Sequence, residues 1–303
     1  MKHLISVILF FISTETAFLQ IKNSTISNIE YPADSGYSIV YQRLCITIDP
    51  AVRYLSGSQT SHYRSKKNDL QHLNIYLSNS LTVDSVKHKT GMLAFSHAAD
   101  MLSIKIPALM KGALDSFSIF YRGIPVSSKW TAYHMKIHDT VPAMWILSEP
   151  YGPPDWMPAR MSLNDKIDSL DLFISTPKAY KAAANGLLVS ETNDDSLTTS
   201  HWKHRYPITP YLIAVAVTNY SVYTDTIPLG STQLPMLNYV YPESLETAKA
   251  GTAKLVPVMQ FFDSLFIPYP FIKEKYGHAQ ISASGAMEHQ TMTFTTSFGI
   301  GLL

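Results

Sequence analysis

The sequence of 303 residues contains little cysteine, almost no excess charge and no long hydrophobic run. Its single cysteine, Cys45, excludes an internal disulfide and a zinc site built from cysteines. The net charge is +1, and the 24 Lys and Arg residues do not cluster. The chain therefore lacks the electrostatic footprint of a nucleic-acid-binding protein. At 46% hydrophobic and 16% charged, it can nevertheless bury a sizeable core.

The N-terminus has the three-part pattern of a secretory signal. A basic start is followed by an apolar run over residues 4–12 and then by Ser- and Thr-rich residues. The run is too short to span a bilayer, which favours a cleaved signal over a membrane span. We expect a signal peptide over residues 1–20, a linker over residues 21–36, and a protein that is secreted or located in the periplasm or cell envelope. A buried N-terminal strand is the alternative.

Short β-strands are predicted from about residue 37 to residue 230. Apolar and polar residues alternate there, and turn signals separate the segments. The alternating apolar sets are Leu44, Ile46 and Ile48; Leu73, Ile75 and Leu77; Leu102, Ile104 and Ile106; Phe117, Ile119 and Tyr121; and Leu170, Leu172 and Ile174. The pattern predicts an antiparallel sandwich or a saddle-shaped sheet. Asn185-Gly186 is the strongest hairpin signal within it.

The pattern changes near residues 228–234, where we place a domain boundary. Residues 236–241 are patterned as a strand, and a helical segment follows. The apolar residues of that segment recur at helical spacing, at Leu255, Met259, Phe262 and Phe266. Pro257 interrupts it, which predicts two helices or one kinked helix. We expect this second part, residues 231–303, to be α+β.

Two pairs of histidines have spacings that resemble metal sites. His134 and His138 are spaced as two zinc ligands on a helix would be, but Met135 stands where the general base of a zinc hydrolase would follow. His201 and His204 would lie on opposite faces of a strand. We predict that neither pair binds a metal, and that the first pair is solvated in a loop or strand.

The segment Gly-Ala-Met-Glu-His at residues 285–289 ends like an inverted zinc motif. That motif needs a histidine at its first position, which is Gly285, so we exclude it. The small residues Gly285 and Ala286 would let a substrate backbone pair with a strand edge, where Glu288 would hold an ammonium group. A tight hairpin with an exposed glutamate is the alternative.

A second candidate carboxylate, Glu149, lies in an aromatic and proline-rich stretch, residues 145–158. We expect its side chain to be partly desolvated, and such a carboxylate is either functional or paired. A salt bridge to a structural cation such as Arg160 is therefore as good an interpretation as a functional role.

Together these stretches resemble the aminopeptidase N and leukotriene hydrolase family of zinc metallopeptidases (gluzincins), and in particular its Bacteroidetes-like secreted branch. The matching residues are 147–152, 163–166, 184–188, 202–219 and 269–293. The resemblance implies a saddle-like antiparallel β-sandwich over residues 37–230. It also implies that residues 231–303 begin a thermolysin-like catalytic domain.

The resemblance also implies a function and its residues. In that family two carboxylates grip the free α-amino group of a peptide, and the matching residues here are Glu149 and Glu288. Gly285, Ala286 and Met287 would line the bound peptide. Zinc, held by H-E-x-x-H and a further Glu, polarises the scissile carbonyl. The implied protein is a secreted zinc aminopeptidase that removes N-terminal residues from peptides.

The sequence departs from the family in three places and ends before the zinc motif. His289 stands where most members have Asn, residues 157–162 lack expected Trp, Cys and acidic residues, and residues 281–284 replace an aromatic- and Gly-rich approach. By the family spacing, H-E-x-x-H would begin just after Leu303. We therefore expect this chain to hold no metal ligand or catalytic residue and to be inactive alone. A non-catalytic, β-rich peptide-binding module is the alternative.

Overall fold

The computed structural model describes residues 36–126 and 131–298, which form mostly β-strands. The predicted signal peptide and the residues around Leu303 lie outside these ranges. The first ten described strands are β1 (Tyr37–Ile48), β2 (Leu55–Ser65), β3 (Leu70–Tyr76), β4 (Leu81–His88), β5 (Gly91–Met92), β6 (Phe95–Ala98), β7 (Met101–Leu109), β8 (Leu114–Gly123), β9 (Tyr133–His138) and β10 (Val141–Ile146).

Ten more described strands and two α-helices complete the fold. They are β11 (Leu170–Pro177), β12 (Lys181–Ala184), β13 (Leu187–Asn193), β14 (Leu197–His204), β15 (Val215–Thr218), β16 (Ser221–Leu229), β17 (Thr232–Val240), α1 (Leu245–Thr252), α2 (Leu255–Leu265), β18 (Tyr276–Gln280), β19 (Ala286–Met287) and β20 (Thr293–Thr295). Short 3-10 helices occur at Pro153–Asp155, Pro210–Leu212 and Pro242–Ser244.

Within the described ranges, these strands form four sheets. Eight strands make the largest, in the order β13-β14-β11-β1-β2-β8-β4-β5; the others are β3-β7-β6, β12-β15-β10-β9 and β16-β17-β18-β20-β19. Parallel pairs occur between β1 and β11, β17 and β18, and β18 and β20, and the remaining described pairs are antiparallel. The predicted fold class, mainly β and then α+β, is confirmed.

One buried core runs through the β part and into the C-terminal sheet. All five alternating apolar sets predicted from the sequence are buried, in or directly beside β1, β3, β7, β8 and β11. The same cluster includes Tyr239, Ala279 and Met287 from the C-terminal sheet. Gly230, where the sequence suggests a domain boundary, lies in the turn between β16 and β17, which pair with each other. The boundary itself stays a prediction.

The predicted helical segment forms two helices. The break between α1 and α2 falls at residues 253–254, before Pro257. Pro257 is tolerated because it lies in the first turn of α2, where a backbone N–H has no partner within the helix. Leu255 is buried beside β16 and β17, whereas Phe262 and Phe266 on the same helical segment are exposed. No helix of the described residues is long and apolar enough to cross a membrane.

Asn185-Gly186 is not the hairpin turn that the sequence predicts. β12 before it pairs with β15, whereas β13 after it pairs with β14 in the eight-stranded sheet. The dipeptide therefore carries the chain from one sheet to another. Gly186 has a φ of +79°, and a Cβ atom on it would lie 2.0 Å from the carbonyl oxygen of Lys203. The glycine is thus required by both its backbone conformation and its surroundings.

Replacing Gly186 tests this crossing. Gly186→Ala is expected to lower the free energy of unfolding by at least about 2 kcal/mol more than Gly230→Ala. The control is matched because Gly230 also has a positive φ, +55°, but no atom lies within 4 Å of a Cβ built there. Urea denaturation of both variants measures the difference. Equal losses in the free energy of unfolding would show that the backbone around Gly186 has room for a side chain.

Candidate functional site

The Gly-Ala-Met-Glu segment lies at an edge of the C-terminal sheet. β19 pairs with β20, and no described strand lies on its other side. Met287 is buried in the core, while Ala286 and Glu288 are exposed. Gly285 has a φ of +89°, and no atom lies within 4 Å of a Cβ built on it. The segment therefore anchors itself by its methionine and leaves its small residues and its carboxylate on the surface.

Glu149 lies in the loop after β10, and its predicted desolvation is wrong because the residue is exposed. The neighbouring polar and aromatic groups contact one another instead. The indole of Trp156 donates a hydrogen bond to Ser148 Oγ over 3.1 Å. Arg160, the partner suggested by the alternative interpretation, forms a salt bridge with Asp165. Among the described residues, no salt bridge to Glu149 is found.

The two candidate carboxylates lie on segments at the same end of the four-stranded sheet. β10 ends three residues before Glu149, beside the start of β15. β12 also ends there, because its last residue pairs with the first residue of β15. The next residue, Asn185, donates its side-chain amide to the carbonyl oxygen of Gln290 over 2.6 Å. Gln290 follows Glu288 by two residues, so the fold brings both segments to the same end of the sheet.

Solved structures with the same fold include several M1 zinc metallopeptidases. A two-domain M1 zinc metallopeptidase mutant bound to L-tryptophan matches with a TM-score of 0.76 and 19% identity, over 86% of this chain and 61% of that one. The chain has the fold of the M1 zinc metallopeptidases. It spans 61% of the length of this relative. The family resemblance inferred from the sequence is therefore confirmed at the level of the fold, while the Bacteroidetes-like branch stays a prediction.

Two further structures extend the comparison. An M1 zinc metallopeptidase mutant from Deinococcus radiodurans, bound to a Tyr-Ser-Ala substrate, gives a TM-score of 0.74 at 19% identity, over 88% of this chain and 61% of that one. Leukotriene A4 hydrolase from Saccharomyces cerevisiae gives 0.69 at 18% identity, over 86% of this chain and 41% of that one. No protein-family model and no curated protein sequence matches the chain.

The described residues do not form a site that fits a zinc ion. Over residues 36–126 and 131–298, no group of three or more His, Cys, Asp and Glu side chains could hold a metal. The predicted pairs have other partners. His134 stacks on a tryptophan ring, and His138 is buried with its Nδ1 2.8 Å from Glu243 Oε1, so this pair is not solvated as expected. His201 and His204 each contact a different carboxylate.

A cluster of buried polar groups contacts the two residues that follow the Glu288 segment. We call it the 185–291 junction, and it comprises Asn185, Gly186, Lys275, Gln290 and Thr291. The Asn185 side chain donates to two carbonyl oxygens and accepts from the backbone N–H of residue 214 over 2.6 Å. The N–H of Gly186 donates to Thr291 Oγ1 over 2.8 Å. The junction therefore fixes the two residues that follow His289.

Lys275 places an ammonium group inside this junction. The residue is 1% exposed, and its Nζ donates to the carbonyl oxygens of Thr291 at 2.7 Å and Ala184 at 3.3 Å. Nζ also lies 5.4 Å from the centre of the Trp202 ring. Burial lowers the pKa of Lys275 to about 7, against the opposing effect of the neighbouring Glu274 carboxylate. The sequence gives no signal for this role.

His289, whose role the sequence leaves open, is a core residue. It is 2% exposed, and its ring lies 4.4 Å from that of Phe294. Neither ring nitrogen has a hydrogen-bond partner among the described residues. Burial lowers the pKa of His289 to about 3. The ring is thus neutral, and it faces the core while the preceding Glu288 is exposed.

The buried Lys275 is expected to make stability depend on pH. Its pKa falls from 10.5 in the unfolded chain to about 7 in the fold, so between these values the unfolded chain binds more protons. The free energy of unfolding therefore rises with pH in this window, by up to about 1.4 kcal/mol per pH unit. Lys275→Met should remove this rise, whereas Lys273→Met, at an exposed neighbour, should keep it.

Urea denaturation from about pH 7 to 9.5 measures this effect as a difference between the two variants. The range stays below the titration of the buried tyrosines, such as Tyr241, whose pKa burial raises to about 12. Burial lowers the pKa of the nearby His278 to about 4, which is outside the range. Glu274, next to Lys275, is present in both variants and so does not affect the difference between them. The same rise in both variants would show that Lys275 does not cause it.

Proposed function

We propose that this chain is the amino-anchoring part of a zinc aminopeptidase, in which Glu149 and Glu288 hold the free α-amino group of a peptide. One observation supports this most strongly. Two exposed carboxylates, distant in sequence, lie on segments at the same end of the four-stranded sheet. Because the chain has the M1 fold, we interpret these two carboxylates as part of a peptidase.

The chemistry of the two carboxylates suits an ammonium group. Two anions at the same end of a sheet would favour a cation between them, because each stabilises the positive charge. Charge-assisted hydrogen bonds from –NH₃⁺ to carboxylates contribute about 1.5–3 kcal/mol each. A blocked or internal amide nitrogen carries no charge and offers one N–H at most. The pair Glu149 and Glu288 would thus select the free N-terminus of a peptide.

The edge strand β19 would hold the peptide backbone beside the anchor. An extended peptide pairs readily with a strand edge, and small side chains permit close approach. Gly285 and Ala286 supply these small residues, and Met287 fixes the strand through its burial. Peptide or amino-acid ligands are proposed here because related M1 structures are bound to L-tryptophan, L-arginine and Tyr-Ser-Ala.

Zinc would polarise the scissile carbonyl in the full-length enzyme. Because the described residues offer no ligand set for it, the part that they play is to bind and orient the peptide. Peptide-bond hydrolysis by the whole protein, inactivity of the 303-residue chain alone, and export through a signal peptide over residues 1–20 all belong to the proposal. A peptide-binding module without catalysis is the second candidate, since the anchor and the strand edge need no metal.

Zinc content separates these two candidates from a complete enzyme. The purified 303-residue chain is expected to contain no stoichiometric zinc and to leave Tyr-Ser-Ala intact, because the described residues provide no zinc ligands. Elemental analysis and mass spectrometry of the incubated peptide measure both quantities. One zinc per chain together with release of tyrosine would refute the proposed inactivity.

Substitution of either carboxylate tests the anchor itself. Glu149→Gln and Glu288→Gln are each expected to weaken the binding of Tyr-Ser-Ala about 10- to 100-fold, because each removes one charged acceptor. Neither change should affect binding of the N-acetylated peptide. Glu246→Gln, at an exposed carboxylate of α1, should leave both affinities unchanged. In titration calorimetry, equal binding of free and acetylated peptides by the unmodified chain would exclude the anchor.

A further inference from the structure

The turn that follows β19 contains a strained threonine. Thr291 has a φ of +64°, a conformation that a β-branched residue rarely adopts. The N–H of Met292 donates to the carbonyl oxygen of His289 over 3.1 Å, which closes the turn. Such a conformation persists only where its surroundings enforce it. The turn over residues 289–292 therefore depends on the contacts that hold Thr291.

Two contacts from elsewhere in the chain hold that threonine. Gly186 donates its backbone N–H to the Thr291 hydroxyl, and Lys275 donates its ammonium to the Thr291 carbonyl oxygen. Lys275 also binds the carbonyl oxygen of Ala184. The lysine thus bridges the end of β12 and the turn, which are more than 100 residues apart in sequence. Lys275 thereby links β12, which is in the same sheet as the strand before Glu149, to the segment that carries Glu288.

An ammonium group is a costly choice for this position if stability is the sole requirement. Lys275 is fully buried, and its burial opposes its charge. Desolvation of an ammonium group is unfavourable, and its hydrogen bonds to the carbonyl oxygens must offset that cost. What an apolar side chain cannot do is hold two backbone carbonyl oxygens at once. That geometric task, rather than stability, distinguishes lysine from methionine here.

We infer that Lys275 is a positioning residue of the amino anchor, which holds the 289–292 turn so that Glu288 leaves β19 in the direction of the Glu149 loop. This inference rests on the proposed function, because Glu288 is the group being positioned. The ligand concerned is the α-ammonium group of a peptide. Lys275 does not touch that ligand; it acts through Thr291 and the turn.

Lys275→Met in the 303-residue chain tests the inference. Tyr-Ser-Ala is expected to bind the variant at least 10-fold more weakly, while the acetylated peptide binds unchanged and the thermal midpoint of unfolding does not fall. Thr291→Asn, added to Lys275→Met, should restore part of the lost affinity. Asparagine adopts a positive φ more readily and keeps an oxygen for Gly186. A purely structural lysine would not produce this rescue.

The outcomes separate this inference from the proposed function. If the unmodified chain does not distinguish the free from the acetylated peptide, the anchor and this inference both fail. If it does, but folded Lys275→Met keeps wild-type affinity, the inference alone is overturned. Should Lys275→Met not fold, Lys275→Gln decides, because it keeps a polar side chain at this position but removes the ammonium group that binds the two carbonyl oxygens. A 10-fold or greater loss for the free peptide supports the inference, and unchanged affinity overturns it.

Discussion

The buried amide of Asn185 joins parts of the chain that are distant in sequence. It contacts the backbone just before β15 and the carbonyl oxygen of Gln290, and every polar atom of its side chain is used. A buried polar group without partners is expensive, so a fully bonded one permits a single arrangement of the segments around it. Asn185 thereby ties the end of β12 and the backbone before β15 to the residues that follow Glu288.

The site combines a rigid interior with an open edge. Along the Glu288 segment, Met287 and His289 face the core, while Ala286 and Glu288 are exposed. This alternation follows from the pleat of a strand, in which successive side chains point to opposite sides. Packing and polar contacts on one side can therefore fix the position of a carboxylate on the other. Binding residues held by rigid neighbours lose little entropy when a ligand arrives.

Much of the fold follows from the sequence, because strand and helix periods are local properties. The alternation in β1 and β8 corresponds to buried faces in the structure. The helical spacing correctly predicts α2, although Leu255 is buried and Phe262 and Phe266 are exposed. Pairing between strands is not local, and there the sequence was a poorer guide. Gly186 does adopt a positive φ, as in a hairpin turn, but the strands on either side of Asn185-Gly186 pair with strands farther along the chain.

The candidate site shows the same division between local and distant effects. The edge position of Gly285 to Glu288 follows from small residues and a lone carboxylate. The exposure of Glu149 was missed because its neighbours Ser148 and Trp156 contact each other. The role of Lys275 could not be predicted at all, because its partners are backbone carbonyl oxygens 16 and 91 residues away. No residue type or spacing in the sequence encodes such contacts.

A double-mutant cycle between Glu149→Gln and Glu288→Gln tests most directly whether the two carboxylates share one ammonium group. The affinity for Tyr-Ser-Ala is measured for the unmodified chain, both single variants and the double variant. Residues that bind one group together lose less in combination than the sum of their separate losses, by about 0.5–3 kcal/mol. The account predicts such a coupling. Strictly additive losses would mean that the two carboxylates act at separate sites, and would contradict it.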